Sequence, residues 1–215
     1  VDVGFRYEST NKQILEKFNF KFNKGKIYGI KGQTGSGKTT LINMICGLIN
    51  PQEGEFLIDD INSSKIKTSD YQKLIGYVPQ NILLMDASIE ENILFGANEV
   101  SERELKNATN QAYLTDYINS SSQGIKTNVG EKSNKISGGQ NQRIGIARAL
   151  LKEKEILIFD EATNSLDEQT EIEVINNIYN LKDRFTIILI SHNKKIIEQC
   201  DTIYEIKDLN LFKNK

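Results

Sequence analysis

The stretch GQTGSGKT, Gly32 to Thr39, sets three glycines, a lysine and a threonine within eight positions. It fits the G-x-x-x-x-G-K-[ST] spacing of a phosphate-holding loop. Glycines at 32, 35 and 37 permit backbone conformations in which successive N–H groups point into one concavity. A helix starting after Gly37 adds partial positive charge at the same place. Lys38 can reach the β- and γ-phosphates of a nucleotide, and the Thr39 hydroxyl can ligate magnesium. Gln33, Thr34 and Ser36 fill out the loop, and Thr40 lies in the first helical turn. The plain alternative is a chance glycine loop with an exposed lysine. An apolar strand before the loop and a helix after it argue against that alternative.

Three more stretches carry candidate chemistry. In ILIFDEA, Ile156 to Ala162, an apolar strand delivers Asp160 beside the phosphates, where it can hold magnesium through water. Glu161 points elsewhere and is a candidate general base for water attacking the γ-phosphorus. Taken alone, DEA also reads as an acidic helix cap. FTIILISH ends on His192, the only histidine of the chain. A lone histidine is usually structural, but at the end of a sheet strand in a chain with a γ-phosphate site, a phosphate contact is the better reading. In ISGGQNQR, Ile136 to Arg143, two adjacent glycines precede a helix with an apolar stripe. Each costs a helix interior about 1 kcal/mol relative to alanine. Ser137 is a natural N-cap, and the N–H groups behind it face outward. Such a start can hold an anion; a glycine-rich turn with an ordinary cap is the other reading.

These residues need elements to position them. KIYGIKG, LIGYVPQ, EILIFDEA and FTIILISH read as buried parallel strands. Three of them run into polar residues at their C-terminal ends: Gln80, Asp160 with Glu161, and Ser191 with His192. Strand ends of this kind are where open parallel sheets place ligands. VDVGFRY and NFKFN alternate and read as antiparallel strands beside the sheet, and GEFLID is another. Helices are expected over Lys38–Leu48 and Glu168–Leu181. From about Ile82 to Lys152 the pattern is helical throughout, with a capping box at Ser101 and Glu104. The predicted architecture is α/β: a P-loop NTPase core with a mainly parallel sheet, an antiparallel β subdomain and a helical insertion. One domain covers 1–215, with core and β subdomain at about 1–81 and 153–215, and the helical part at about 82–152.

Composition narrows the classes. At 215 residues with 38% hydrophobic and 26% charged content, the chain suits a globular domain with a sizeable core. A net charge of -2 gives no global basic field for nucleic acid. Cys46 and Cys200 stand in apolar surroundings with no zinc spacing and are expected as reduced, buried thiols of a cytosolic protein. No apolar run approaches the ~20 residues that span a bilayer. The first residues lack the form of a signal peptide. A start inside a strand-like stretch suggests a domain cut from a longer chain.

Together these residues resemble the nucleotide-binding domain of ABC transporters over nearly the whole chain. GQTGSGKT resembles the family's Walker A loop, ILIFDE its Walker B strand, and ISGGQ its signature, usually written LSGGQ. Asn164 to Asp167 resembles the D-loop, Gln80 the Q-loop and His192 the switch histidine. Tyr7 stands where the family stacks an aromatic on adenine; plain packing is its other reading.

The resemblance implies ATP and Mg²⁺ as cofactors, with Gln80, Glu161 and His192 at the reaction and Thr39, Gln80 and Asp160 at the metal. It implies a head-to-tail dimer with a second such domain. Ser137, Gly138, Gly139 and Gln140 of one chain would then close over ATP on the other, with Asp167 beside it. It also implies a transmembrane domain, fused or separate, and a place on the cytoplasmic face of the cell membrane.

Ser88 to Gly96 and Thr127 to Gln140 resemble exporters, in which the segment before the signature touches the membrane domain. Thr127, Val129, Gly130 and Glu131 match that pattern, while EKSNK replaces its usual ERG core. LIGYVPQNILLMDASIEENILFG and RIGIARAL are most similar to lipid-linked saccharide flippases. The implied function is an ATPase motor domain driving an exporter. Two other readings remain. One is an ABC-type ATPase of DNA repair or translation, although long insertions and tandem copies are missing. The other is a nucleotide-dependent switch that barely hydrolyses, against which Glu161 and His192 both stand.

Overall fold

The computed structural model describes residues 1–7, 12–97, 99–130, 136–151, 154–164, 166–207 and 210–213. The strands are β1 (Val3–Tyr7), β2 (Lys12–Phe18), β3 (Ile27–Gly32), β4 (Leu57–Ile58), β5 (Ile61–Asn62) and β6 (Ile75–Val78), then β7 (Ile156–Asp160), β8 (Thr186–Ile190), β9 (Thr202–Lys207) and β10 (Asn210–Lys213). The helices are α1 (Lys38–Ile45), α2 (Thr68–Lys73), α3 (Ile89–Leu94), α4 (Glu102–Gln111), α5 (Thr115–Ser120), α6 (Gly138–Leu150), α7 (Glu168–Asn180) and α8 (Lys194–Ile197).

Six strands form the main sheet in the order β10-β9-β3-β8-β7-β6. Every neighbouring pair is parallel except β10 with β9. Successive side chains of a strand point to opposite faces, and the sheet divides the apolar residues accordingly. Leu157, Phe159, Ile187 and Leu189 join Ile93, Leu105, Ile146 and Val174 in one core. Ile30, Ile158, Ile188 and Ile190 join Leu41, Ile45, Val3 and Leu15 in the other. The helices α3, α4 and α6 thus share a core with one face of the sheet, while β1, β2 and α1 cover the other.

Four sequence expectations need correction. NFKFN is not a strand; β2 lies just before it, at Lys12–Phe18, and pairs with β1 from Tyr7↔Lys12 onward. The alternation of Phe20 and Phe22 instead serves an aromatic cluster with Phe56, Tyr28 and Tyr204. Tyrosine hydroxyls satisfy the backbone there in place of a neighbouring strand: Lys21 N donates to Tyr204 Oη at 3.1 Å and Asn23 N to Tyr28 Oη at 2.6 Å. GEFLID shrinks to Leu57–Ile58, closed onto β5 by Asp59 and Asp60, which have φ 48° and 64°. The helix expected to reach Leu48 ends at Ile45, capped by Cys46 and turned by Gly47 at φ 66°. The block from Ile82 to Lys152 is not helical throughout. Beyond α5, a short 3₁₀ turn at Gly124–Lys126 leads to Asn128, which bridges to Ser88.

The capping box at Ser101 and Glu104 is present. Cys46 and Cys200 are buried thiols outside any disulfide. Among the described residues, no helix is long and apolar enough to cross a membrane.

Candidate functional site

The phosphate loop hangs between β3, in the middle of the sheet, and α1. Gly37 is the N-cap of α1 at φ 104° and ψ 7°, and no side chain caps that helix. Its first intrahelical bond runs from Leu41 N to Gly37 O at 2.9 Å, so the amides of Lys38, Thr39 and Thr40 precede it. A Cβ on Gly37 would meet Ile14 Cγ2 and Leu15 Cδ2 at 3.1 Å, and one on Gly32 would meet Ser36 Oγ at 2.6 Å. Both positions therefore need glycine. Lys38 folds over the loop, donating to Gly32 O at 2.8 Å and Gln33 O at 3.0 Å. Gln33, Thr34, Gly35 and Thr39 are exposed, and Ser36 Oγ is buried without a hydrogen-bond partner. Open helix amides, a movable ammonium and an orphaned hydroxyl suit an anion with several oxygens. Tyr7 stands beside them: its hydroxyl lies 3.3 Å from Thr40 Oγ1, and its ring meets Phe5 edge-on with centroids 5.0 Å apart.

Asp160 ends β7. Its Oδ2 accepts from the Tyr77 hydroxyl at 3.2 Å. Burial pushes its carboxyl up from the ordinary value; the Tyr77 bond opposes this, Glu161 adds to it, and the Lys38 ammonium opposes it. Behind it, burial pushes the Cys46 thiol up to about 12, with Asp160 contributing. Among the described residues, no three His, Cys, Asp or Glu side chains converge to hold a metal alone. The donors near the loop, a hydroxyl at Thr39 and one carboxylate at Asp160, suit an ion that takes the rest of its ligands from phosphates and water.

Glu161 adopts the left-handed region, with φ 51°. Its amide donates to Ile190 O at 2.9 Å, and its side chain finds partners other than those of Asp160. The carboxylate is only 14% exposed and gathers three partners. Gln80 Nε2 and Asn164 Nδ2 each donate to Oε2 at 3.0 Å. His192 Nε2 lies 3.1 Å from Oε1, on a side chain 57% exposed. Three strand ends, those of β6, β7 and β8, thus deliver Gln80, Glu161 and His192 to one point. Gln80, expected also at the metal, is turned to Glu161. Sequence marks Asn164 as the start of the D-loop match but not as a partner of Glu161, and it does not mark Tyr77 at all. The signal for Asn164 was its place three residues after Glu161; a mid-strand tyrosine such as Tyr77 carried none.

Ser137 caps α6 in a reciprocal box: Gln140 N donates to Ser137 Oγ at 3.2 Å and Ser137 N to Gln140 Oε1 at 2.9 Å. The box leaves the amides of Gly138 and Gly139 without an acceptor among the described residues. Asp167 caps α7, accepting from Thr170 N at 3.0 Å, and Thr170 holds its carboxyl below the ordinary carboxylate value. Among the described residues, no hydrogen bond or ion pair joins Ser137–Gln140 to Gly32–Thr40. Val129 is wholly buried and its amide donates to Ala87 O at 3.0 Å, while the Thr127 hydroxyl is buried without a partner. Glu131 lies outside the described residues.

The sequence model described as ABC transporter matches residues 15–164. The chain belongs to the ABC transporter family. It carries the family's ATP-binding and ATP-hydrolysing domain. An ATP-dependent lipid A-core flippase of Idiomarina loihiensis is 37% identical over 203 residues, which make up 94% of this chain and 35% of the flippase. A probable multidrug resistance ABC transporter ATP-binding/permease protein, YheI of Bacillus subtilis, is 36% identical over 94% of this chain and 34% of its own length. A solved structure of a bacterial Atm1-family ABC exporter with ATP bound superposes with a TM-score of 0.92 at 33% identity. That match covers 98% of this chain and 37% of the exporter. The chain therefore spans about a third of the length of these ABC relatives.

Proposed function

We propose that this domain hydrolyses ATP within a head-to-tail dimer and thereby powers export or flipping by a membrane domain, fused or separate, from the cytoplasmic face of the membrane. The observation that carries the reading is the convergence of Gln80, Glu161 and His192 on one point beside the phosphate loop. Tyr7 would take the adenine on its half-exposed ring. The amides of the loop and of α1, with Lys38, would hold the phosphates. Glu161 would take the proton of the attacking water, and His192 and Gln80 would hold the γ-phosphate and the water in line. Thr39, Asp160 and Gln80 would hold Mg²⁺, which when bound offsets negative charge on the phosphates.

The dimer reading rests on α6. Its glycine-lined start has free amides and no partner of its own among the described residues, which suits phosphates held by another copy. Asp167 would lie beside that contact. The membrane-domain reading rests on the exporter relatives and on an apolar face beyond Gln80, where Leu83 is 84%, Phe95 59% and Met85 40% exposed. Thr127 and Val129 are tied to the start of α3: Ile89 N donates to Thr127 O and Val129 N to Ala87 O, each at 3.0 Å.

The test uses the 215-residue chain with a non-hydrolysable ATP analogue and magnesium. The parent should become a dimer by light scattering and remain a monomer with ADP. Ser137→Arg should bind the analogue with parental affinity and stay monomeric. Loss of nucleotide binding in that monomer would show that Ser137 serves its own chain's site.

A further inference from the structure

The hydrolytic pair stands on two separate loops, one after β7 and one after β8. One side chain outside both loops holds them together. Glu171, in the first turn of α7, accepts from Thr163 Oγ1 at 2.7 Å through Oε1 and from Asn193 Nδ2 at 3.0 Å through Oε2. Thr163 is two residues beyond Glu161, and Asn193 directly follows His192. All three linked side chains are at least partly shielded, and Thr163 is only 4% exposed. Asn193 is fixed further by its own amide, which donates to Ser191 Oγ at 3.0 Å, and by its Oδ1, which accepts from Lys195 N at 3.0 Å at the start of α8. A second tie between α7 and α8, Lys195 to Glu168, is long at 3.4 Å and 78% exposed at both ends. It contributes little.

We propose that Glu171 is a positioning residue for hydrolysis: its carboxylate clamps the Glu161 loop to the His192 loop and so sets the 3.1 Å contact between the two. This rests on the reading of Glu161 and His192 as the hydrolytic pair. The geometry supports a clamp better than plain packing. Each carboxylate oxygen takes one loop, so the anion cannot serve one loop and release the other without leaving a shielded donor unpaired. Among the described residues, no hydrogen bond or ion pair joins the phosphate loop to this bridge, so nucleotide binding should not depend on it.

The polarity of the bridge supplies the test. Asn193→Asp keeps the cap on Lys195 N but sets a second carboxylate against that of Glu171. Adding Glu171→Gln restores a donor toward the new carboxylate, while the oxygen of the new amide still accepts from Thr163 Oγ1. In the 215-residue chain, Asn193→Asp and Glu171→Ala should each lower the rate at saturating ATP at least tenfold, with ATP affinity within twofold of the parent. The Glu171→Gln/Asn193→Asp double variant should return to within threefold of the parent.

The single histidine gives a direct readout, since its ring proton resonances at fixed pH belong to His192 alone. They should move in Asn193→Asp and return in the double variant. The proposal is overturned if the single variants turn over at the parental rate. It is equally overturned if the double variant is no faster than Asn193→Asp, or if affinity, melting temperature and rate all fall together. A parental rate in Glu161→Gln would instead overturn the underlying reading of the pair, whatever Glu171 does.

Discussion

Replacing Glu161 by glutamine should separate chemistry from architecture. The carboxylate meets Gln80 and Asn164 at Oε2 and His192 at Oε1. In the variant, the amide oxygen can keep both donors from Gln80 and Asn164. The amide nitrogen then faces His192 Nε2, which can accept if its ring proton sits on Nδ1. All three contacts survive, the size is unchanged, and the φ of 51° is no harder for glutamine than for glutamate. Stability should therefore change by less than about 0.5 kcal/mol.

Basicity does not survive. Loss of a general base costs about 10²- to 10⁴-fold, which is about 2.7–5.5 kcal/mol on the barrier. The assay is phosphate release at saturating ATP with magnesium, alongside calorimetric melting and ATP titration. Melting and affinity should match the parent while the rate falls by at least a hundredfold, and the variant should accumulate as an ATP-bound dimer in light scattering. A rate within tenfold of the parent would refute the assignment of Glu161 as base. A melting point lowered in step with the rate would refute the claim that its three contacts are transferable.

Other perturbations follow from the same contacts. Lys38→Ala would remove the proposed charge-assisted phosphate contact, of about 1.5–3 kcal/mol, so ATP affinity by titration calorimetry should fall about ten- to hundredfold; unchanged affinity would contradict the phosphate-loop reading. Gly76→Ala would place a Cβ 2.5 Å from the backbone oxygen of Ala149 on α6. Overpacking of this kind costs about 1–3 kcal/mol, and a calorimetric melting point lowered by several degrees is expected, with none if β6 and α6 part freely. Cys46, with its thiol pushed up to about 12, should be about one ten-thousandth ionised at pH 8. Mass spectrometry should find it unalkylated by iodoacetamide in the folded chain and alkylated in urea; equal rates would show that it is not buried in solution.

What the sequence disclosed was what is local. The phosphate loop is a single run in which the glycines, lysine and threonine carry their own geometry, so Gly32 to Thr39 could be placed between a strand and a helix unaided. Gln80, Glu161 and His192 were legible because apolar strands end at them, and parallel strands end on one edge of a sheet. Contacts between distant segments were silent. Nothing in NFKFN says that Tyr28 and Tyr204 would supply its hydrogen bonds, so alternation alone pointed to a strand. The Glu171 bridge joins residues eight and twenty-two positions away, and in each case the chain changes element in between, so no single helical or strand pattern relates the two ends. The short α2 and α8 and the last strands β9 and β10 lacked the length or apolar run that would have marked them.

The backbone bond from Glu161 N to Ile190 O carries a kinetic consequence. The β7–β8 ladder runs through Asp160↔Ile190 and continues, by this bond, to Glu161, the proposed base. Both strands lie inside the sheet, flanked on each side by another strand. Their amides can exchange with deuterated solvent only through large-scale opening, the slowest class of event in a folded chain. The amide of Glu161 should therefore share the exchange rate of Ile158 and Ile188, unlike that of a surface loop. Gly138 and Gly139, whose amides have no acceptor among the described residues, should exchange at once, and in the proposed dimer should slow when a second copy and its nucleotide cover them. One molecule would then hold its two halves of a reaction on clocks many orders of magnitude apart, and only the fast one would be reset by each encounter with a partner.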